Sequence, residues 1–236
     1  MSKFIITFVA SAAFSGSAVA GSTMNLTVNV DGNQTTTQQM GQLTAFGDYS
    51  YTGAVTDAYP VTAWAVGWNL VSDSNANSFV TNGFTIANLS SMTKRFNITL
   101  EIAGMIPTAG ARVFTGSLGG TLTSSSSASS NIASVGSLPL WKGLLNGSSP
   151  GTNSELLSSY ALTVPGSTTG VLPSTIITPY SAPASANSSL GYQFEFDLSS
   201  NAMVSFSGVW SAVPSPSALT LIGCAGVTIS RRRRSN

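Results

Sequence analysis

Strict alternation of apolar and polar residues recurs in several separate segments of this 236-residue chain. The clearest examples are residues 26–30, 96–102, 192–198 and 204–210. Because successive side chains of a β-strand point to opposite faces, a two-residue period gives each strand one apolar and one polar face. The alternation therefore predicts half-buried strands of an antiparallel sheet, and Asp31-Gly32-Asn33 marks a turn after the first of them.

A further segment, residues 61–71, is apolar on both faces and predicts a central strand that is covered on both sides. The even spacing of Trp64 and Trp68 within it favours core positions over a sugar-stacking role. Apart from a short helical turn around residues 154–159, no amphipathic helix is indicated. These elements predict an all-β fold, a single antiparallel β-sandwich that is closed or half-open like a jelly roll.

Two stretches lack a strand pattern. Residues 116–138 are rich in Gly and Ser, and residues 164–190 carry four prolines among Ser and Thr. Such composition is typical of exposed loops, of glycan-bearing stalks or of insertions within a sheet, and all three interpretations remain open.

The N-terminus has the pattern of a secretory signal peptide. Lys3 provides a positive charge, residues 4–10 begin an apolar stretch, and Ala18-Val19-Ala20 has the small residues that signal peptidase accepts. Cleavage between Ala20 and Gly21 is predicted, which makes residues 1–20 a leader that the Sec translocon and signal peptidase handle. Residues 21–212 then form the exported domain.

The C-terminus, residues 213–236, predicts a membrane-sorting tail. Val213-Pro214-Ser215-Pro216 precedes an uncharged apolar stretch, and Arg231, Arg232, Arg233 and Arg234 follow it. About 14 helical residues reach only ~21 Å at 1.5 Å each, less than the ~30 Å hydrocarbon core. The arginines act as a membrane stop that stays in the cytoplasm, which places the domain outside the inner membrane.

The Pro-x-Pro motif, the short apolar helix and the terminal arginine cluster resemble the PEP-CTERM sorting signal of Gram-negative, exopolysaccharide-producing bacteria. Some family names label the same tail an ice-binding protein C-terminal domain. In this chain Ser215 stands where the family has Glu. The resemblance implies an exosortase-like processing enzyme, an inner-membrane intermediate and delivery to the outer envelope, cell surface or extracellular matrix.

Parts of the middle of the chain also resemble exported PEP-CTERM proteins, without a known activity to carry over. Residues 68–88, followed by residues 96–100, are similar to a β-hairpin of those proteins. Residues 138–147 and 196–200 are similar to further elements.

The sequence contains no histidine, and its single cysteine, Cys224, lies in the apolar tail. These two facts exclude a Ser-His-Asp triad, a cysteine nucleophile in the domain, most zinc sites and an intrachain disulfide. Glu195 and Asp197 point to the same side of one strand and could act on a glycoside, although a solvated outer face is favoured. Asp73, Asn75 and Asn77 have the alternate spacing of a calcium loop without its Gly and Glu, which favours a turn. No catalytic residue, metal or cofactor is therefore predicted.

Charge patterning narrows the range of partners. Only 7% of the residues are charged, and residues 21–212 carry four basic against eight acidic side chains, a net charge of about −4. A domain without a basic face is not expected to bind nucleic acid. The sequence predicts a non-enzymatic structural or adhesive protein of the cell surface or the exopolysaccharide matrix. The alternative is a non-catalytic carbohydrate-binding module.

Overall fold

The computed structural model describes residues 22–57, 62–75 and 77–215, and these form two antiparallel sheets that pack face to face as a β-sandwich. The prediction of an all-β fold is thereby confirmed. The predicted signal peptide, with Ala18, Ala20 and Gly21, lies outside the described residues, and so do Pro216 and Arg231, Arg232, Arg233 and Arg234. The sixteen strands within the described residues are β1 (Thr23–Val30), β2 (Asn33–Met40), β3 (Gln42–Leu43), β4 (Tyr49–Thr56), β5 (Trp64–Asp73), β6 (Ser78–Asn88), β7 (Lys94–Ile102), β8 (Gly110–Ser124), β9 (Ser130–Ser134), β10 (Pro139–Leu145), β11 (Glu155–Ser158), β12 (Ala161–Val164), β13 (Thr169–Ile176), β14 (Tyr180–Ala184), β15 (Leu190–Leu198) and β16 (Ala202–Pro214).

The first sheet has the strand order β11-β10-β15-β7-β1-β2, with β9 beside the far end of β15 and β12 beside β9. Strands β1, β7 and β15 alternate between buried and more exposed residues over most of their length, as the two-residue period predicted. A two-residue turn joins β1 to β2, with Asp31 and Gly32 at positive φ. This geometry matches the right-handed twist of the paired strands and confirms the turn predicted there.

The second sheet has the order β13-β8-β16-β6-β5-β4-β3, and β14 pairs with the other end of β8. Strand β5 lies inside this sheet, and Trp64 and Trp68 are buried, which confirms the prediction of a central strand with core tryptophans. Strand β16 pairs with β6 on one side and β8 on the other over nearly its whole length.

Aromatic rings join the two sheets in the core. Trp210 of the second sheet packs edge-on against Trp141 of the first, and its indole Nε1 donates a hydrogen bond to the Leu144 carbonyl at 3.1 Å. Phe206 stacks on Phe194 at a centroid distance of 4.5 Å. Such pairs add roughly 0.5–1.5 kcal/mol each beyond the burial of apolar area.

The expectation that residues 116–138 lack regular structure is wrong. Strand β8 continues to Ser124, and β9 follows at Ser130–Ser134. Gly116 faces the rings of Trp210 and Trp141, and a methyl group at Gly120 would overlap the Ser205 carbonyl oxygen. Because the strand uses glycine where large neighbours need space, its apolar alternation is interrupted and its composition is that of a loop.

Residues 164–190 also contain strands, contrary to the interpretation as a loose segment. Strands β13 and β14 lie at the open edge of β8, with Pro173 in one and Pro183 in the other. Proline is tolerated at an edge because its missing N–H would face solvent.

The predicted helical turn around residues 154–159 is corrected as well. A single 3₁₀ turn covers Thr152–Ser154, and β11 begins directly after it. Leu156 is buried and pairs with Trp141 of β10, so the packing of this strand onto the core overrides the local polar composition.

Candidate functional site

The outer face of the first sheet carries amide, hydroxyl and carboxylate side chains on four neighbouring strands. We call it the amide face and define it by the outward-pointing residues of its four long strands. These are Gln34, Thr36 and Gln38 of β2; Asn25, Thr27 and Asn29 of β1; Asn97, Thr99 and Glu101 of β7; and Gln193, Glu195 and Asp197 of β15.

Register places these residues in rows across the sheet. Thr36 lies opposite Thr27, Thr27 opposite Thr99, and Thr99 opposite Gln193. Lys142 of β10 extends this row beyond Gln193. Side chains directly opposite one another on one face come within contact distance, so the rows form a continuous polar surface.

Hydrogen bonds between neighbouring strands hold the amides of this face in place. Gln38 Nε2 donates to Asn25 Oδ1 at 2.8 Å, and Gln193 Nε2 donates to Asn97 Oδ1 at 2.7 Å. An amide group has two N–H donors and an oxygen with two lone pairs, so one bond per pair leaves hydrogen-bonding capacity toward solvent. The face therefore has unused donors and acceptors that could bind hydroxylated or amide-bearing molecules.

Two ion pairs lie at one end of the amide face. Arg95 Nε contacts Asp197 Oδ1 at 3.0 Å, and Lys94 Nζ contacts Asp31 Oδ2 at 2.9 Å. Hydrogen bonding and attraction from the Asp197 carboxylate raise the pKa of Arg95. Partial burial on its own would raise the pKa of Asp31. The hydrogen bond from the Arg95 backbone N–H and the attraction of the Lys94 ammonium together outweigh it, so the pKa of Asp31 lies below its usual value.

Open grooves lie on either side of the Lys94–Asp31 pair. One has a volume of about 450 Å³ and is lined by Asp31, Thr93 and Arg95, among others. The other, about 470 Å³, lies between the edges of the two sheets and is lined by Asn33, Asp57 and Lys94, among others. Carboxylates and amides here could bind a small polar molecule.

The carboxylates Glu195 and Asp197 lie on the outer face, as the strand period predicted. Asp197 already binds Arg95, and a salt bridge is the ordinary role of a surface carboxylate. The general acid of a glycosidase is typically held in an apolar pocket, whereas Asp197 lies on an open polar surface beside a cation.

The Asp73 loop has the geometry of a turn. Asp73 Oδ1 accepts a hydrogen bond from the Asn75 backbone N–H at 2.9 Å, which closes a short polar turn between β5 and β6. Asn77 is exposed directly before β6. Across the described ranges, no group of three or more His, Cys, Asp or Glu residues is placed to hold a metal ion.

The first residues of the predicted sorting motif belong to the sandwich. Val213 and Pro214 end β16, where they pair with Val113 and Arg112 of β8. Ser215 is largely buried, and its backbone N–H donates to the Ala111 carbonyl at 3.0 Å. The part of the chain that the structure describes contains no helix with the length and hydropathy that a bilayer crossing requires.

Two buried polar side chains were not identified from the sequence. Asn88 Nδ2 donates to the carbonyls of Met92, Leu198 and Ser199, and so it ties the β6–β7 and β15–β16 connections together. Arg112 is buried within the second sheet, where desolvation lowers its pKa, and it donates to Thr108. No local sequence signal distinguishes these residues from surface Asn and Arg.

Comparisons with known proteins give no relative for this chain: no family model, no curated protein and no solved structure matches it.

Proposed function

We propose that this chain is an exported structural or adhesive protein of the cell surface or the extracellular matrix. Residues 1–20 act as the leader, a jelly-roll-like sandwich forms the exported body, and the tail directs sorting through an exosortase-like enzyme. The observation that carries the proposal is the amide face: a hydrogen-bonding surface of amides, hydroxyls and a few carboxylates suits contact with polysaccharide or with other surface components. The terminal patterns, Ala18-Val19-Ala20 and the arginine cluster, support the route.

The structure constrains where a processing enzyme could act. The backbone is hydrogen-bonded into the sandwich as far as Ser215. Because a protease binds its substrate in an extended, accessible form, we expect cleavage of the tail to fall after Ser215. Pro214 and Ser215 would then remain on the mature protein.

Fractionation of cells that express the full chain tests this route. In an exopolysaccharide-producing Gram-negative host, the wild-type protein is expected outside the cytoplasm, without residues 1–20. Replacing Arg231, Arg232, Arg233 and Arg234 by Ala removes the cytoplasmic stop. The amount of protein retained in the inner membrane should then fall several-fold. Intact protein in the cytosol, with the leader attached, contradicts the proposal.

A second candidate function is non-catalytic binding of carbohydrate. The specific observation in its favour is the presence of two hydrogen-bonded amide pairs, Gln38–Asn25 and Gln193–Asn97, on one outer face. All four tryptophans are at most 7% exposed, so binding would use hydrogen bonds and not stacking on indole rings.

Glycan binding by variants separates the two functions. Replacing both Asn97 and Gln193 by Thr keeps β propensity but removes the amides, and a carbohydrate-binding module should lose about tenfold in affinity, as expected for two or so hydrogen bonds. The matched control is Thr85→Val on the outer face of the second sheet, which should leave binding unchanged. Equal binding by wild type and the double variant removes this second candidate.

A further inference from the structure

The free edge of β2 differs from the edges that β3, β11, β12, β13 and β14 form among the described residues. β13 and β14 contain Pro173 and Pro183, and the register of β13 shifts between Leu172 and Thr175. β11 and β12 have four residues each, and β3 has two. Prolines, bulges and short length are the devices by which proteins prevent strand pairing between molecules.

Strand β2 has none of these devices. It has eight residues, pairs with β1 in continuous register along its whole length, and ends the order of the first sheet. Its sequence, Asn33-Gln34-Thr35-Thr36-Thr37-Gln38-Gln39-Met40, contains no charged residue and no proline. Nothing in this strand opposes the approach of another β-strand.

Hairpin geometry determines which backbone groups of β2 face the open edge. In a two-residue hairpin the pair flanking the turn, here Val30 and Asn33, is hydrogen-bonded, and bonded and non-bonded pairs then alternate. The backbone N–H and C=O groups of Gln34, Thr36 and Gln38 therefore point away from β1. They are available to a further strand.

The side chains of β2 are symmetric about Thr36. Two amides (Asn33-Gln34), three threonines and two amides (Gln38-Gln39) follow one another, so the segment has the same chemical order in both directions. When two copies run antiparallel with Thr36 opposite Thr36, Gln34 faces Gln38 and Thr35 faces Thr37. The outward pairs then join amide to amide (Gln34 with Gln38) and hydroxyl to hydroxyl (Thr36 with Thr36), and both kinds of pair form hydrogen bonds. The inward Gln39 keeps its hydrogen bonds to the Thr52 carbonyl and the Trp68 indole of its own chain.

This register also pairs the free backbone groups of the two copies and keeps their outward-pointing side chains on one side of the joined sheet. The residues with free backbone groups meet one another, since Thr36 lies opposite Thr36 and Gln34 opposite Gln38. Residues of equal parity are paired, so the outward-pointing side chains of both copies lie on the same side. A shift by one residue in a single strand would pair outward with inward side chains.

We propose that the β2 edge pairs with the β2 edge of a second copy of this chain, antiparallel about a twofold axis at Thr36. The two first sheets then form one sheet, with the two amide faces side by side as a single surface. A twofold interface of this kind is self-complementary and closed. The seven paired residues, Asn33 to Gln39, span about 24 Å at ~3.4 Å per residue and make a small interface, so a weak dimer with a dissociation constant of about 10–100 µM is expected.

A charge-swap experiment tests both the pairing and its register. The full chain, purified in mild detergent, is compared with the Gln34→Lys/Gln38→Lys and Gln34→Lys/Gln38→Glu variants by sedimentation velocity across a concentration series. The first variant places two lysine side chains opposite each other across the interface and should weaken the dimer by at least about tenfold. The second places lysine opposite glutamate and should dimerise within about threefold of wild type or more tightly.

Within one chain both variants place lysine or glutamate opposite the neutral Asn25 and Asn29 of β1, so a thermal melt should find both variants folded. Hydrogen exchange locates the interface. In the wild-type chain, the backbone N–H groups of Gln34, Thr36 and Gln38 should become protected from exchange as the protein concentration rises. Three results would each overturn the proposal. The wild-type chain could remain monomeric at about 1 mM, well above the expected dissociation constant. The two variants could associate equally, or the protection could be confined to other segments.

Discussion

The two outer faces of the sandwich differ in the number of charged and amide side chains that they carry. The described strands of the first sheet carry seven charged residues as well as the amides of the amide face, whereas those of the second sheet contain only Asp73 and the buried Arg112. One row on the outer face of the second sheet reads Gly83, Ser207, Gly119.

Close backbone approach explains part of the small-residue face. A methyl group at Gly83 would overlap the carbonyl oxygen of Asn69 on the neighbouring strand, whereas one at Gly119 would meet nothing. The first sheet presents amides and charged groups over most of its outer face, with a close backbone approach of its own at Gly191, whereas the outer face of the second sheet carries hydroxyls and small residues. Substitutions should therefore have unequal effects on the two faces.

The largest expected effect is on the second sheet. Gly83→Ala should lower the free energy of unfolding by about 1–3 kcal/mol, because the added carbon forces β5 and β6 apart. Urea denaturation followed by tryptophan fluorescence measures this change.

Gly119→Ala is the matched control, because Gly119 and Gly83 flank Ser207 from opposite sides on the same face. Its added methyl meets open space, so stability should stay within about 0.5 kcal/mol of wild type. If both variants lose the same stability, the tight fit at Gly83 does not account for the composition of this face.

A smaller effect is expected from the ion pair of the first sheet. A double-mutant cycle of Arg95→Met and Asp197→Asn should give only the small coupling free energy of a surface ion pair, since both side chains are substantially exposed. The coupling should decrease in about 1 M salt. A large coupling that persists undiminished in about 1 M salt would indicate a pair shielded from solvent and would contradict the contrast between the two faces.

The smallest effect is a pH dependence at the end of the amide face. The pKa of Asp31 is lowered in the folded protein, so its contribution to stability is present above the unfolded pKa of about 3.9 and is lost as the pH falls through the lower folded pKa. Lys94→Met should cost about 0.5 kcal/mol near pH 7 and less near pH 3. Denaturation at both pH values measures the difference, and an unchanged difference would mean that Lys94 stabilises the fold through its aliphatic stem alone.

Alternation with large apolar residues was sufficient to predict β1, β7 and β15, and the Asp31-Gly32 turn was predicted from its composition. Strand β8 was missed because its inward positions alternate between bulky residues and Gly116 or Gly120, whose small size depends on neighbours far along the chain. β13 and β14 were missed because edge strands tolerate proline.

The amide face depends on register, and register is not a local property of the sequence. Residues 38 and 25 are joined by one hairpin, but Gln193 meets Asn97 across 96 residues of sequence. The composition could therefore predict a polar outer surface, but not which amides bond to each other. The charged residues of the second sheet show the same limit, since Arg112 has the local sequence of a surface residue and is nevertheless buried.

The position of β16 has a mechanical consequence. This strand lies between two long partners and is continuous with the tail that follows Pro214. Tension transmitted through that tail would pull along the strand, so the lateral bonds on both sides would be sheared together instead of peeling open one after another. For as long as the tail stays joined to the domain, an anchor beyond Ser215 would load both ladders of β16 at once, whereas an attachment through an edge strand would load a single ladder.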